Sequence, residues 1–597
     1  MSKDRRKYSA VRLLLRTIPI QFKAAPLQNI VHHLSGMCQA LTITARIIVT
    51  QMLFDTVTRA AAGKAGFADC VWPLIILMGA NLAEQIFSGL YNFMFDVSFG
   101  KSKGPVKALL QRKMQRVDPA QFENTAFLDD LNRAREGAEE IPNFGNFLFI
   151  FVFFYLTYFV SVGAYLFWLN PLLLITLLIA FMPALLSQMV RARLFTILEQ
   201  ESAPLRRENE YYQKTLCDRE YYKETRILGV FGFFRKLFDE TLSLLTHKRW
   251  RVERKNTLLQ LTLDVTTFAG MGVSAYLLLD ATLVGEITIG AFVAVLHTLY
   301  QLFSIMREIL VDRVNGMNEN IGKVANYLRV LDMPEITGAT GTPDLSKGVS
   351  VDHVTFTYTG RGEPAVKDVS LTIAPGETVA IVGENGAGKT TLVRLLTGIY
   401  RPSEGKVMVG GLDTAETVPS SIFNNTSGVF QKYQRYKMTL EENITISDAI
   451  SEANTDRIQS ALFDASAELA DVNLDTMLSP EFDGIDLSGG QWQRLAIARG
   501  LYRINGFIVL DEPTAAIDPI EETHVYTQFE QLAAGKCAVV VTHRLGSAKL
   551  AHRIVVMDGG RIVDIGTHEE LLTRPGKYAN MWKAQTQWYE RKVVPMR

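Results

Sequence analysis

Long apolar runs fill the first half of this chain and stop near residue 310; beyond that point hydrophobic residues come in short runs between polar and Gly-rich stretches. A helix crossing a bilayer needs roughly 20 mainly apolar residues. Six segments fit, near residues 30–53, 70–95, 144–168, 171–190, 261–280 and 287–311. The middle pair is free of charge from Phe147 to Trp168 and from Leu172 to Val190, and Asn170-Pro171 between them leaves room only for a tight turn. Arg46 and Glu84 interrupt the first two, and the fifth has the weakest composition. The connections at 54–69, 169–170 and 281–286 are short. Those at 96–143 and 191–260 are long, charged and helical in pattern, as in Lys107 to Arg116 and Phe195 to Leu216.

From residue 349 the pattern changes to β-rich runs alternating with helical ones. Thr378 to Val382, Phe507 to Leu510 and Ala538 to Val541 read as buried strands, which predicts a mainly parallel sheet covered by helices on both faces. The divisions expected are an N-terminal segment at 1–29, a helical membrane domain at 30–320, a linker at 321–348 and a second domain at 349–597. Pro334 to Lys347 is the part of the linker rich in Gly, Thr and Pro.

At 597 residues two or more domains are expected. The 62 basic and 62 acidic residues balance, so nothing global points to nucleic acid. Cys38, Cys70, Cys217 and Cys537 form neither a CxxC pair nor a metal-ligand spacing. The first 29 residues carry seven Lys/Arg against one acid, Asp4, and no apolar stretch that would make a cleavable signal. Val11, Leu14, Leu15 and Ile18 recur there at helical spacing, as in a helix lying on a cytoplasmic membrane surface or in a solvated basic tail. The basic bias places the N-terminus, both long connections and everything after residue 312 in the cytoplasm.

Gly383-Glu384-Asn385-Gly386-Ala387-Gly388-Lys389-Thr390 is a complete GxxxxGKT phosphate loop between a strand ending at Val382 and a helix beginning near Lys389. Its glycines let successive N–H groups turn toward phosphate oxygens, and the helix N-terminus, with Thr391 in its first turn, adds a positive dipole end. Lys389 supplies charge to the β/γ-phosphates, and the Thr390 hydroxyl suits Mg²⁺. The apolar run Phe507 to Leu510 ends in Asp511, which can hold the Mg²⁺ shell, and Glu512, which can orient or deprotonate the attacking water. The pair reads as an α/β P-loop ATPase behind an all-α six-helix transmembrane domain.

Leu487-Ser488-Gly489-Gly490-Gln491 then resembles the signature of the ATP-binding cassette (ABC) family, with the family's other parts in their usual order around it. The resemblance implies that Tyr358 stacks on adenine, that Gln431 senses the γ-phosphate and Mg²⁺, that Asp518 is the D-loop aspartate and that His543 contacts the γ-phosphate. It also implies that Ser488, Gly489, Gly490 and Gln491 reach ATP from a second subunit. One cassette per chain then means a dimer, and two intact half-sites favour a homodimer. The membrane half is similar to the exporter type. Asp118 to Thr125 and Lys223 to Leu228 resemble the short coupling elements that press on a cassette near its glutamine loop.

The expectation is thus ATP-driven export by a homodimer in a bacterial inner (plasma) membrane, with ATP and Mg²⁺ as cofactors, membrane lipid around it and a peptide or small molecule as cargo. A soluble cassette ATPase shares the motor motifs, but the charge-free segments at 147–190 argue against it. A lipid or multidrug exporter, or an ATP-gated channel on the same scaffold, remains open. Phe430 to Tyr436 and Leu487 to Arg494 resemble exporters of ribosomally made peptides such as lantibiotics. Glu84 and Asp264 are carboxylates in or near spans, where ionisable groups usually face a cavity. At 1.5 Å per residue each lies roughly 20–25 Å from its helix's outer end. Alternatively each pairs with a neighbouring helix, or Asp264 meets cytoplasmic water.

Overall fold

The computed structural model describes residues 10–590 apart from 450, 468, 470–471, 504 and 513–518. The chain divides into two compact units: one holds the chain up to Lys113 together with Asp130–Asp332, the other Met114–Asp129 together with everything from Met333.

The first unit is helical. Its elements are α1 (Ala10–Ala24), α2 (Pro26–Ala61), α3 (Phe67–Met114), α4 (Thr125–Leu169), α5 (Pro171–Cys217), α6 (Tyr222–Ile227), α7 (Phe231–Val284), α8 (Ile289–Arg307) and α9 (Val314–Leu331). Among the described residues α2, α3, α4, α7 and α8 are long and apolar enough to cross a membrane. The fourth expected span appears only as the shorter apolar stretch Pro171–Ser187 of α5, so among the described residues five helices, against the six expected, are long and apolar enough to cross. The turn between α4 and α5 is as tight as expected, because Asn170 caps α5 by accepting from Leu172 N–H at 2.9 Å. The N-terminal segment is helical and buries only part of the apolar stripe. Leu13, Leu14, Thr17 and Gln21 are buried, and Val11 and Leu15 stand exposed. Gln21 Nε2 donates to Asn29 Oδ1 and Ser98 Oγ, and these polar partners draw that face inward.

Several charged and polar residues of α2 make bonds to other helices. Thr44 Oγ1 meets Ser161 Oγ at 2.7 Å, and Arg46 Nε lies 3.0 Å from Glu84 Oε2. Arg46 also donates to Gln301 Oε1 at 3.2 Å. Gln51 Oε1 accepts from Tyr165 Oη at 2.8 Å, and Asp55 Oδ1 accepts from Gly290 N–H at 2.9 Å. In an apolar surrounding such pairs hold helices together where hydrophobicity alone gives no preference. Leu166, Leu278 and Ala291 are fully buried among them.

The second unit carries two sheets. The antiparallel one is ordered β2-β1-β4-β5, from β1 (Val349–Phe356), β2 (Val366–Ile373), β4 (Glu404–Val409) and β5 (Leu412–Asp413). The other is ordered β10-β9-β3-β8-β7-β6, from β3 (Thr378–Gly383), β6 (Thr426–Val429), β7 (Phe507–Asp511), β8 (Cys537–Val541), β9 (Arg553–Asp558) and β10 (Arg561–Gly566). It is parallel except for β10. β3, β7 and β8 are buried along their whole lengths, as a sheet covered on both faces requires. Helices α10 (Lys389–Leu396), α11 (Gly489–Tyr502), α12 (Pro519–Ala533) and α13 (Lys577–Glu590) accompany them.

Residues Met114–Asp129 come between membrane helices in sequence yet belong to this second unit. Asp118 caps a short 3-10 helix, Pro119–Glu123, by accepting from Ala120 N–H. Ala120 packs against the core that β1, β2 and α10 enclose. Glu123 Oε1 takes hydrogen bonds from Arg394 Nη1 at 2.9 Å and from Tyr400 Oη at 2.8 Å, and Arg116 C=O accepts from Ile336 N–H.

Candidate nucleotide site

The tips of β3, β7 and β8 bring the sequence-assigned residues to one edge of the parallel sheet. β3 ends at Gly383 and α10 starts at Lys389. The loop between them turns because Gly386 and Gly388 adopt φ of 84° and 97°, values that L side chains resist. A Cβ on Gly388 would also lie 2.6 Å from the Ala365 carbonyl oxygen. Lys389 is buried, and its Nζ donates to the Gly383 and Glu384 carbonyls at 2.8 and 3.1 Å. Burial lowers its pKa from the ordinary lysine value, against the raising pull of Glu512 and Asp511. A phosphate is therefore a natural replacement for those two carbonyls.

β7 ends in Asp511, which is 1% exposed. Burial pushes its carboxyl up to about 6, the Glu512 charge adds to this, and the Thr390 hydroxyl, Arg394 and Lys389 oppose it. Thr390 Oγ1 donates to Asp511 Oδ1 at 3.3 Å. These two adjacent hard oxygen donors fit Mg²⁺, which keeps water and phosphate oxygens in most of its shell and needs few protein ligands. Among the described residues no three His, Cys, Asp or Glu converge to hold a metal on their own.

Glu512 follows at φ 50°, in the left-handed region that costs a glutamate on the order of 1–3 kcal/mol. Its N–H donates to the Val541 carbonyl, tying the strained residue to the end of β8. Its side chain is 10% exposed, and three other sequence-assigned residues surround the carboxylate. Gln431 Nε2 donates to Oε2 at 2.8 Å, His543 Nδ1 lies 3.7 Å from Oε2, and Lys389 Nζ lies 3.9 Å from Oε1. The structure thus brings Lys389, Thr390, Gln431, Asp511, Glu512 and His543 together. Tyr358 stands edge-on to Phe356 and Tyr400, and its hydroxyl is 2.9 Å from Thr391 Oγ1. Asp518 lies outside the described residues.

The signature lies elsewhere. Ser488 caps α11 reciprocally with Gln491: Ser488 N–H donates to Gln491 Oε1, and Gln491 N–H donates to Ser488 Oγ. Ser488 and Gly489 are exposed, so the N-terminus of this helix faces outward. Among the described residues, no hydrogen bond or ion pair joins residues 488–491 to 383–391 of the same chain. Two supporting residues were missed in the sequence. Tyr433 Oη donates to the Gly489 carbonyl at 3.0 Å, and Arg499 binds the Asn443 and Gln434 carbonyls while lying over the Tyr436 ring. Both tyrosines fall in the run Phe430 to Tyr436, but nothing in that run tells which of its side chains turns toward α11.

A phosphate-loop ATPase unit joined to a unit of long apolar helices defines the class: a membrane protein that carries its own nucleotide motor. The chain belongs to the ABC transporters. An ABC transporter profile matches residues 366–515, and a profile of the ABC transporter transmembrane region matches residues 33–218. The subtilin transport ATP-binding protein SpaT of Bacillus subtilis is 28% identical over 84% of this chain and 82% of its own length. The nisin transport ATP-binding protein NisT of Lactococcus lactis subsp. lactis is 26% identical over 65% of this chain and 66% of its own. An ATP-dependent lipid A-core flippase of Burkholderia pseudomallei is 34% identical, but over 51% of each chain. The solved structure of a bacterial Atm1-family ABC exporter with ATP bound has the same fold, with a TM-score of 0.75, 21% identity, and coverage of 92% of this chain and 98% of that one. The chain is an ABC exporter that binds ATP and couples its hydrolysis to transport.

Proposed function

We propose that the chain works as a homodimer exporting a peptide from the cytoplasm across a bacterial inner membrane. The observation that carries the dimer is the exposed, pre-capped signature helix, which among the described residues has no hydrogen bond or ion pair to the phosphate loop of its own chain. A second copy would close its Ser488 and the Gly489 and Gly490 N–H groups over ATP held by the first copy's residues 383–391. Ile227 is 85% and Leu228 62% exposed at the end of α6. These apolar side chains suit docking on the second copy's cassette, as Pro119–Glu123 docks within its own unit. In the closed site Thr390, Asp511 and Gln431 would hold Mg²⁺, which would neutralise phosphate charge. Glu512, held by Gln431 and facing His543 and Lys389, would orient and deprotonate the attacking water.

Peptide is favoured over lipid as cargo because the relative named for subtilin transport matches across most of both chains, whereas the flippase matches about half of each. Reconstitution in lipid vesicles tests both parts. Ser488→Arg chains alone should be nearly inactive, because a cation enters the γ-phosphate contact. Mixing them with Lys389→Ala chains should restore one composite site per heterodimer, and full activity from an isolated monomer would refute the dimer. ATPase stimulation by cationic peptides is expected, and stimulation by lipids alone would refute the cargo.

A further inference from the structure

One face of α13 carries side chains that reach two loops of the ATP site. Gln585 Nε2 donates to the His543 carbonyl at 2.6 Å, and Gln585 Oε1 accepts from Leu545 N–H at 3.0 Å. The amide therefore grips the backbone on both sides of Arg544. Only this orientation serves both partners, since a turned amide would set N–H against N–H and oxygen against oxygen. About 12 Å along the helix, at 1.5 Å per residue, Lys577 Nζ pairs with Asp558 Oδ1 at 2.6 Å and with Glu384 Oε1 at 3.4 Å. Asp558 ends β9, and Glu384 is inside the phosphate loop. The helix between these two grips is firmly seated. Tyr578 is fully buried with Leu545, Ala548 and Val382, and Met581 and Trp582 pack on the same cluster. Val382 precedes the phosphate loop directly.

We propose that α13 is a strap across the back of the ATP site, in which Gln585 is the positioning residue for His543 and Lys577 is that for the phosphate loop. Neither side chain touches nucleotide in this arrangement; each acts through the loop it holds. His543 has a half-exposed side chain on a loop after β8, and the Gln585 amide bonds to its backbone. Fixing that backbone fixes where the imidazole stands relative to Glu512 and a γ-phosphate. The inference rests on the role proposed for His543.

The test uses the full chain in lipid vesicles with steady-state ATPase kinetics. Gln585→Ala should lower kcat about three- to tenfold, the worth of one or two neutral hydrogen bonds, with KM for ATP changed by less than about twofold. In a His543→Ala background the same substitution should cost nothing further, because the group it positions is gone. An equal fold-loss in that background, or wild-type kcat in the single variant, overturns the inference. A His543→Ala chain with wild-type turnover overturns the role of His543 instead, so the two failures are told apart. Gln585→Glu keeps the side-chain volume and the acceptor for Leu545 but can donate to the His543 carbonyl only when protonated. Its kcat relative to wild type should climb as pH falls, and a flat ratio overturns the proposal even if Gln585→Ala fails to fold. Lys577→Ala should raise KM about threefold at unchanged kcat; a kcat loss without a KM change would remove Lys577 from the strap.

Discussion

Two largely buried glutamates, one in each unit, show how differently a carboxylate can be held. Glu84 meets Arg46 at 3.0 Å, and the guanidinium is fixed in turn by Gln301. Its charge is neutralised within the chain. Among the described residues Glu512 has one side-chain hydrogen bond, from Gln431, and two basic neighbours that stand back at 3.7 and 3.9 Å. It also sits on left-handed backbone that a glutamate adopts only under constraint. The first carboxylate has its countercharge at contact distance, and the second has no cation so close. A buried acid therefore says little about function until its partners are counted.

The sharpest way to break this comparison is to remove the charge of the open acid. Glu512→Gln should still bind ATP, because it leaves untouched residues 383–391, the proposed phosphate cradle. It should hydrolyse it at least about a hundredfold more slowly, the usual contribution of a positioned base, and accumulate the ATP-bound closed form. Turnover near the wild-type rate would take the catalytic role from Glu512 and leave the contrast with Glu84 without chemical meaning.

The place of the open acid was legible in the sequence and the partner of the closed one was not, and the reason is physical. Phosphate chemistry imposes local spacing: a loop that wraps an anion needs glycines at fixed intervals, and the strand beside it must end in its acids. Residues 383–390 and 507–512 obey this, and the sheet places them as expected. Glu84 was legible as an anomaly in an apolar span that either faces a cavity or pairs with a neighbouring helix, and the fold supplies the pairing. Its partner is on another helix, and no local pattern records which face of α2 turns toward α3. The same holds for the burial of Leu13, Thr17 and Gln21 beside Leu14, while Val11 and Leu15 of the expected stripe stand exposed. It holds again for residues 114–129, whose place with the cassette unit depends on Glu123 meeting Arg394 and Tyr400, far away in sequence. Gln585 is the extreme case, because a lone glutamine in a late helix carries no signal until the fold brings it to His543.

A smaller effect is expected from the cation that faces the open acid. Lys389 is held by two carbonyls that phosphate would replace, so Lys389→Ala should weaken ATP binding about tenfold or more, the range for a hydrogen bond to a charged group. Binding of a fluorescent ATP analogue measures this directly. Unchanged affinity with reduced turnover would show that the lysine serves the transition state alone, and would narrow the difference between its role and that of Glu512.

The smallest change in activity, and the one that tests the closed acid, comes from the Arg46–Glu84 pair. Arg46→Ala leaves a carboxylate buried without its cation, which destabilises a protein by about 3 kcal/mol, and thermal unfolding in detergent should show a clear drop. The double variant Arg46→Gln with Glu84→Gln removes both charges at nearly constant volume, and should recover most of that loss. Transport then separates structure from recognition. If Glu84 is neutralised by Arg46, the double variant should transport a cationic peptide with an affinity within about twofold of wild type, since no net charge has left the membrane unit. Asp264 differs: it is half-buried in α7, and the charge that acts on it is Arg307. Asp264→Asn should weaken the same peptide about threefold if it faces the cavity, the scale of one partly screened charge contact. A large loss of peptide affinity in the stable double variant would return Glu84 to the substrate path and show that a fully paired acid can still recognise cargo.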